Sequence, residues 1–165
     1  MDFGTGTGCI AIAIAAKCAD AKITALDISA DALALAKQNA EQNKVADRID
    51  FLLGDGFAAF NGKTQFDLLV SNPPYITSAE IATLEPEVKD FDPRGALDGG
   101  ADGLDFYRRL VAEAKPFLKP DGKIMLEFGD GQAEDIKKIF ESEKWIVEAV
   151  QDDYSQRARI LIAHK

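Results

Sequence analysis

Short apolar runs typical of β-strands alternate with longer segments of helical periodicity, and this alternation limits the possible folds more than any other feature of the chain. The apolar runs span 23–27, 48–53, 66–71, 123–128, 144–151 and 157–163. The helical segments span 7–18, 30–43, 104–118 and 132–142, and a long turn-rich connection covers 72–103. Strands that alternate with helices build parallel sheets, so the sequence predicts an α/β fold with a doubly wound, mostly parallel sheet.

The length of the chain corresponds to one domain of ordinary size, and we expect residues 1–165 to form a single domain. The apolar run Cys9–Ala16 is far shorter than the roughly 20 residues that a membrane-spanning helix needs. It also follows a glycine-rich loop directly. We therefore expect a monomeric, cytoplasmic protein that does not associate with membranes.

The formal net charge of the chain is −9 at pH 7, which disfavours nucleic acid as a ligand. A protein that binds duplex DNA normally neutralises several phosphates with clustered Lys and Arg side chains. Here the basic pairs Arg108–Arg109 and Lys137–Lys138 lie in helical segments, and we interpret them as ordinary solvated charges. The sequence therefore predicts no direct DNA binding.

The supply of metal-binding and nucleophilic side chains is small. The chain contains one histidine, His164, and two cysteines, Cys9 and Cys18. Structural zinc sites use four Cys or His ligands, and catalytic triads need a histidine beside the nucleophile, so we predict no metal site and no such hydrolase. Both cysteines fall on the helical segment 7–18, where their spacing excludes a mutual disulfide and predicts a packing role.

A glycine-rich loop stands at the start of the chain, in the order Gly4-x-Gly6-x-Gly8, with Asp2 before it. Closely spaced glycines allow a tight turn and a close approach of backbone to a ligand. A dinucleotide-binding loop needs its third glycine one position later, where this chain has Cys9. The pattern instead resembles motif I of class I methyltransferases, which bind S-adenosylmethionine. The alternative is a tight turn between a strand and a helix.

The carboxylate of Asp27 ends the next apolar run, Ile23–Asp27. At the tip of a second strand, a carboxylate is placed to accept hydrogen bonds from both hydroxyls of a ribose. The alternative is an acidic residue at the start of the helical segment that follows, with Ser29 as its N-cap. Because the glycine loop precedes it, we favour the ribose-binding interpretation.

A second acidic turn, Asp55-Gly56-Phe57, follows the apolar run 48–53. At this position we predict that the Asp55 carboxylate accepts from an adenine amine and that the Phe57 ring covers the adenine face. An Asp-Gly turn after any strand would look similar, so a plain turn is the alternative.

The tetrapeptide Asn72-Pro73-Pro74-Tyr75 follows the run 66–71 and is the most informative motif. Two prolines fix φ and remove N–H donors, so the loop is rigid and rich in acceptors. The Asn72 side-chain oxygen and the Pro73 carbonyl can each accept one hydrogen of a planar NH₂ group, while the Tyr75 ring stacks on it. These contacts aim the nitrogen at an electrophile through positioning and electrostatics, without a strong base.

The chain as a whole, from Asp2 to Ala163, resembles the peptide-chain release factor glutamine methyltransferases, the HemK/PrmC family. The matching stretches are DFGTGTGCIAIAIA, ALDIS, NPPYI and LEPEVKDFDPRGALDGGADGLDFYRRL. In the last of these, residues 84–110, the family pattern is carried by Glu87, Phe91, Pro93, Ala96 and Leu97. The motif NPPY is shared with DNA amino-methyltransferases, whereas this last stretch is not.

The resemblance implies a class I methyltransferase with a Rossmann-like, seven-stranded sheet whose last strand is antiparallel. It implies methyl transfer from S-adenosylmethionine, with S-adenosylhomocysteine as product, to the glutamine amide nitrogen in the Gly-Gly-Gln motif of release factors. The implied cofactor-binding residues are Asp2, Gly4, Thr5, Gly6, Gly8, Asp27, Ile28, Asp55, Gly56, Phe57 and Asn72. The implied substrate-binding residues are Asn72, Pro73, Pro74 and Tyr75, among which Asn72, Pro73 and Tyr75 are catalytic.

Only Met1, Asp2 and Phe3 precede the glycine loop, where a central strand of about five residues is expected. We therefore expect a truncated first strand, and the helical domain that precedes the catalytic domain in the family is absent from this sequence. Two rival interpretations remain at this point. One is a DNA or RNA amino-methyltransferase, and the other is an inactive fragment that binds the cofactor.

Overall fold

The computed structural model describes residues 1–60 and 64–165. The strands are β1 (Asp2–Phe3), β2 (Ile23–Asp27), β3 (Ile49–Leu53), β4 (Phe66–Ser71), β5 (Leu118–Glu127), β6 (Ile146–Asp152) and β7 (Ala158–His164). The helices are α1 (Cys9–Lys17), α2 (Ala30–Gln42), α3 (Pro86–Lys89), α4 (Arg94–Leu97), α5 (Asp105–Glu113) and α6 (Ala133–Ser142). The predicted strands 23–27 and 66–71 are confirmed with the same ends.

The strands form one seven-stranded sheet in the order β3-β2-β1-β4-β5-β7-β6. Strands β1 to β5 pair in parallel, whereas β7 is antiparallel to both of its neighbours, β5 and β6. The predicted doubly wound α/β sheet with an antiparallel last strand is therefore confirmed. The order of the strands reverses between β1 and β4, which is where open α/β sheets form a crevice at their carboxyl ends.

The first strand is short and lies at the centre of the sheet. Asp2 pairs with Ala25 of β2 on one side and with Val70 of β4 on the other. The pairing extends by one residue, since the Val70 amide donates to the Met1 carbonyl at 2.9 Å. These contacts place the loop that follows Phe3 directly above the reversal point of the sheet.

Helices cover both faces of the sheet because successive side chains of a strand point to opposite sides. In β2, Ala25 packs in a cluster with Ala11 and Ala15 of α1, while its neighbour Leu26 packs in the larger cluster that holds α5 and α6. The buried alanines Ala11 and Ala15 lie one helical turn apart and form the inner face of α1. The core is therefore divided into two layers, one on each side of the sheet.

The prediction that Cys9 and Cys18 form no mutual disulfide is confirmed, whereas their predicted packing role is wrong. Cys9 is the first residue of α1 and Cys18 follows its last residue, and both are exposed. The residues of α1 that pack on the core are alanines and not the cysteines.

At the start of α2, the Ser29 hydroxyl accepts from the Ala32 amide at 3.2 Å, which confirms the predicted N-cap.

The predicted helix 104–118 is also shorter than expected. Helix α5 ends at Glu113, a 3₁₀ turn covers Lys115–Phe117, and β5 begins at Leu118. Pro116 explains the break, because a proline inside an α-helix removes a hydrogen bond and clashes with the preceding turn. Residues 119–122, which precede the predicted strand 123–128, lie inside β5, next to a register shift in its pairing with β4. Within the described residues, none of the helices is both long and apolar enough to cross a membrane.

Gly8 brings the glycine loop into close contact with α2, and Gly8→Ala tests this contact. Gly8 has a φ of 83°, and a Cβ there would lie 3.1 Å from the Cβ of Ala36 in α2. A left-handed conformation costs a residue with a Cβ about 1–2 kcal/mol, so we expect the free energy of unfolding to fall by at least that amount in urea titration.

The matched control is Gly95→Ala in α4, where an added Cβ meets no atom within 4 Å. We expect its free energy of unfolding to stay the same or to rise by up to about 1 kcal/mol. Equal losses in the two variants would contradict the close packing of the glycine loop on α2.

Candidate active site

The predicted site residues meet at the carboxyl edge of the sheet. The glycine loop follows β1, Asp27 is the last residue of β2, Asp55 follows β3, and Asn72 follows β4. Parallel strands end at the same edge, so four separate stretches of sequence converge there. This edge is the crevice expected at the reversal of strand order.

Asp2 lies beneath the glycine loop with 1% of its surface exposed. Its Oδ2 accepts from the Thr5 hydroxyl at 2.6 Å and from the Ala11 amide at 3.1 Å. The carboxylate thus joins β1, the loop and α1. Burial raises the pKa of Asp2, while the hydrogen bonds from Thr5 and Ala11 lower it. Its Oδ1 is buried and accepts no hydrogen bond from the described residues.

The top of the loop is open. Gly4 and Gly6 have φ values of 69° and 55°, and a Cβ built on either would meet nothing within 4 Å. The loop is held from the side, because the Gly6 amide donates to Asp27 Oδ2 at 2.7 Å and the Thr5 amide donates to the Leu26 carbonyl at 2.9 Å. The backbone is therefore fixed in place while its upper surface stays free for a ligand.

Asp27 connects the loop to the start of α2. Its Oδ2 binds the Gly6 amide, and its Oδ1 accepts from the Ser29 amide at 2.9 Å. An ionised carboxylate has about four acceptor positions, so capacity for two ligand hydroxyls remains. Both interpretations of Asp27 from the sequence are thus compatible, since its contact with the start of α2 leaves room for a ribose.

Two apolar side chains stand exposed beside Asp27. Ile28 is 69% exposed, and Leu53, which is the register partner of Asp27 on β3, is 55% exposed. Exposed large aliphatic side chains next to polar groups are typical of a ligand-binding surface. Ile28 was predicted from the sequence, whereas Leu53 was missed because it reads as an ordinary strand residue.

The Asp55 carboxylate is held by Arg109. Its Oδ1 accepts from Arg109 Nη1 at 2.6 Å, and its backbone carbonyl accepts from Nη2 at 3.3 Å. This bond is the main cause of a raised pKa of the Arg109 guanidinium. Interpreting Arg109 as a plain solvated charge was wrong, because it orients a predicted site residue that lies 54 positions earlier in the chain. Arg109 also covers Gly56, where a Cβ would lie 2.6 Å from Nη2.

Phe57 lies in the core. It is 4% exposed, and its ring stacks on Phe117 at a centroid distance of 4.6 Å and contacts Phe3 at 5.2 Å. This packing does not support the prediction that the ring covers an adenine face. Ile28 and Leu53, by contrast, are exposed at the same edge of the sheet. The sequence could not distinguish a core aromatic residue from a site residue one position after Gly56.

The Asn72–Tyr75 loop presents free acceptors at the same edge. Ser71, directly before it, is buried and donates through its hydroxyl to the Phe3 carbonyl at 2.6 Å, which joins the end of β4 to β1. Asn72 itself is exposed. Among the described residues, none donates to the Asn72 side chain or to the Pro73 carbonyl. The loop lines a cleft of about 210 Å³, together with Ile76, Ala96 and Leu97.

The other side of the same loop is held by a hydrogen bond from Gln132. Gln132, just before α6, donates from Nε2 to the Tyr75 carbonyl at 3.0 Å, and its Oε1 accepts from the Gly129 amide at 2.9 Å. Gln132 was missed, since a glutamine at the start of a helix carries no signal in the sequence.

The residues that the structure describes include no group of three or more His, Cys, Asp or Glu that could hold a metal ion.

Comparisons with known proteins agree with this geometry. A release factor glutamine methyltransferase from Geobacter sulfurreducens is 46% identical over 140 residues, covering 85% of this chain and 48% of that protein. One from Rhodospirillum rubrum is 46% identical over 165 residues, covering all of this chain and 50% of that protein. The chain therefore spans about half the length of the curated relatives it matches.

A solved structure and a family model extend the comparison. A ribosomal protein L11 methylase from Lactobacillus delbrueckii subsp. bulgaricus superposes with a TM-score of 0.72 at 19% identity, over 99% of this chain and 68% of that chain. At this identity the likeness shows the fold, and the class I methyltransferase fold implied by the sequence is confirmed. Residues 1–85, just over half of the chain, match the family model of the methyltransferase small domain. The chain thus belongs to the methyltransferase small domain family.

Proposed function

We propose that this chain is the catalytic domain of an enzyme that transfers a methyl group from S-adenosylmethionine to the side-chain amide nitrogen of a glutamine. The proposed substrate is the glutamine in the Gly-Gly-Gln motif of peptide-chain release factors, and the proposed setting is the cytoplasm, with the enzyme acting as a monomer. The observation that carries the proposal is the pair of free acceptors on Asn72 and Pro73, beside the open glycine loop. The 46% identity to release factor glutamine methyltransferases supports the same choice.

The cofactor would be held by groups that the fold already fixes. The open backbone at Gly4 and Gly6 fits a close ligand, and the free capacity of Asp27 fits the two ribose hydroxyls. Exposed Ile28 and the Asp55 carboxylate suit the face and the amine of adenine. The unpaired Oδ1 of Asp2 fits the ammonium group of the methionine part, and Thr5 and Gly8 shape the loop around it. S-adenosylmethionine supplies a methyl group on a positively charged sulfur.

The acceptor loop would act on the glutamine. An amide nitrogen is a poor nucleophile because its lone pair is delocalised into the carbonyl. If the Asn72 side-chain oxygen and the Pro73 carbonyl each accept one N–H, electron density shifts back toward the nitrogen and its direction is fixed. Pro73 and Pro74 keep both acceptors rigid, and Tyr75 offers a flat ring for the amide. The effect comes from positioning and electrostatics, which together account for large rate enhancements.

The first test is methyl transfer from S-adenosylmethionine carrying a labelled methyl group. We expect label on a release factor, on its Gly-Gly-Gln glutamine by mass spectrometry, and none on a form with that glutamine replaced by glutamate. Duplex DNA is the competing substrate, because NPPY is shared with DNA amino-methyltransferases, although the net charge of −9 disfavours it. Label on DNA and not on the factor would overturn the proposal. Tight binding of S-adenosylhomocysteine without any transfer would favour a domain that only binds the cofactor.

Asn72→Ala tests the acceptor pair. Removing one preorganised hydrogen-bonding group costs about 10²–10³ in turnover in comparable sites, so we expect kcat to fall by that order. The affinity for S-adenosylhomocysteine, measured by calorimetric titration, should change less than about threefold. Asn43→Ala, at an exposed position after α2, is the matched control and should turn over like wild type. Normal turnover by Asn72→Ala would contradict the amide-binding role.

Asp27→Ala tests the other half of the site. Loss of a charged acceptor for two hydroxyls, together with the loosened Gly6 amide, should weaken the affinity for S-adenosylhomocysteine by roughly 1–3 kcal/mol, or about 5- to 150-fold in Kd. We expect kcat at saturating cofactor to change much less than Kd. Asp47→Ala, which removes an equal charge at an exposed position before β3, should bind normally. An unchanged Kd in Asp27→Ala would exclude ribose binding by this carboxylate.

A further inference from the structure

The Asn72–Tyr75 loop has two sides with opposite properties. Its front lines the cleft, and neither the exposed Asn72 side chain nor the Pro73 carbonyl has a hydrogen-bond partner among the described residues. Its rear packs against the segment that joins β5 to α6, and there the Tyr75 carbonyl receives a hydrogen bond from Gln132. A loop with free acceptors on one side needs firm support on the other, because fixed direction is what makes such acceptors effective.

The Gln132 side-chain amide donates two hydrogen bonds and accepts one. Its Nε2 donates to the Tyr75 carbonyl at 3.0 Å and to the Gly103 carbonyl at 3.4 Å. Its Oε1 accepts from the Gly129 amide at 2.9 Å. One planar group thus joins three segments: the acceptor loop, the end of the 72–103 connection, and the residues that follow β5. A side chain with only donors or only acceptors could not make this set.

Close packing accompanies these bonds. A Cβ on Gly129 would lie 2.9 Å from Tyr75 Cδ2, and a Cβ on Gly103 would lie 2.4 Å from the Tyr75 carbonyl oxygen. Both positions therefore bring backbone directly against Tyr75, with no space for a side chain between them. The rear of the loop is fixed by contact as well as by hydrogen bonds.

The backbone of Gln132 is held in place by helix α6, which packs in the core. It precedes α6, and its own carbonyl accepts from the Ile136 amide at 3.0 Å. Ile136 and Phe140 are fully buried in the larger core cluster, and Phe140 packs edge-on against Trp145 at 5.4 Å. The position of the Gln132 amide is thus set by the core. Pro73 and Pro74 have fixed φ, so a shift of the Tyr75 carbonyl is passed to the acceptors in front.

We propose that Gln132 is a positioning residue for methyl transfer: it holds the Tyr75 carbonyl so that the Asn72 oxygen and the Pro73 carbonyl keep their direction. This role rests on the proposed function. Gln132 does not touch the acceptor nitrogen, and its contribution is to turnover rather than to cofactor binding. The residue is also separate from the glycine loop and from Asp27, so the two properties can be measured independently.

The test uses Gln132→Met, which keeps the length of the side chain and removes both donors and the acceptor. A misplacement of about 1 Å can cost on the order of 10²-fold in rate, so we expect kcat to fall at least tenfold. The Kd of S-adenosylhomocysteine should stay within about threefold of wild type. Gln38→Met, at an exposed position on α2, is the matched control and should keep the wild-type kcat. A parallel loss of kcat, cofactor affinity and thermal midpoint would indicate a merely structural role and overturn the proposal.

A second measurement does not depend on activity. Hydrogen exchange followed by NMR reports on the Ile76 amide, which donates to the Leu97 carbonyl at 3.0 Å, and on the Gly99 amide, which donates to the Ile76 carbonyl at 2.8 Å. We expect Gln132→Met to exchange faster at these two amides while the core amides of β4 stay protected. Unchanged exchange would overturn the positioning role. If wild type transfers no methyl group to a release factor, the proposed function fails, and the exchange data still decide whether Gln132 holds the loop.

Discussion

The two residues of β1 hold the centre of the sheet, and the arrangement of the site depends on them. Asp2 pairs with β2 on one side and with β4 on the other, at the point where the strand order reverses. The Phe3 carbonyl accepts from the Ser71 hydroxyl, so the residue before the glycine loop is bonded to the residue before Asn72. The glycine loop and the Asn72–Tyr75 loop are therefore fixed to each other through two hydrogen-bonded strands, and not through the long connection between them.

The carboxylates of Asp2 and Asp27 hold the glycine loop from two directions. Asp2 is buried and binds the loop from below through the Thr5 hydroxyl, and Asp27 binds the Gly6 amide from the side. Burying a carboxylate is costly unless hydrogen bonds compensate, and the raised pKa of Asp2 reflects that cost. A buried carboxylate with one free oxygen is stabilised when a cationic group comes near. The buried carboxylate of Asp2, which lowers the stability of the fold, would thus favour a positively charged ligand in the proposed function.

The sequence predicted the parts of the site that depend on local chemistry. The glycine loop, Asp27 and Asn72–Tyr75 each follow an apolar run, and parallel pairing brings the ends of such runs to one edge. What it missed depends on contacts between distant residues. Arg109 reaches Asp55 across 54 positions and Gln132 reaches Tyr75 across 57, and neither partner is marked by a pattern. Phe57 was misassigned for the same reason, since only the neighbouring rings of Phe3 and Phe117 make it a core residue.

The fold alone does not choose the methyl acceptor. A ribosomal protein L11 methylase shares this fold at 19% identity, and its name gives a substrate different from the one proposed here. Under the proposed function, the choice of methyl acceptor lies in the segments that follow β4, where the Asn72–Tyr75 loop has unpaired hydrogen-bond acceptors on one side and is held by Gln132 on the other. Helix α5 connects the two sides of the site: it begins beside the Gly99–Gly103 turn behind Tyr75, and its Arg109 holds Asp55 after β3. A displacement of the Asn72–Tyr75 loop that moved α5 would therefore also shift Asp55, so in the proposed function this helix is common to the substrate and cofactor sides of the site.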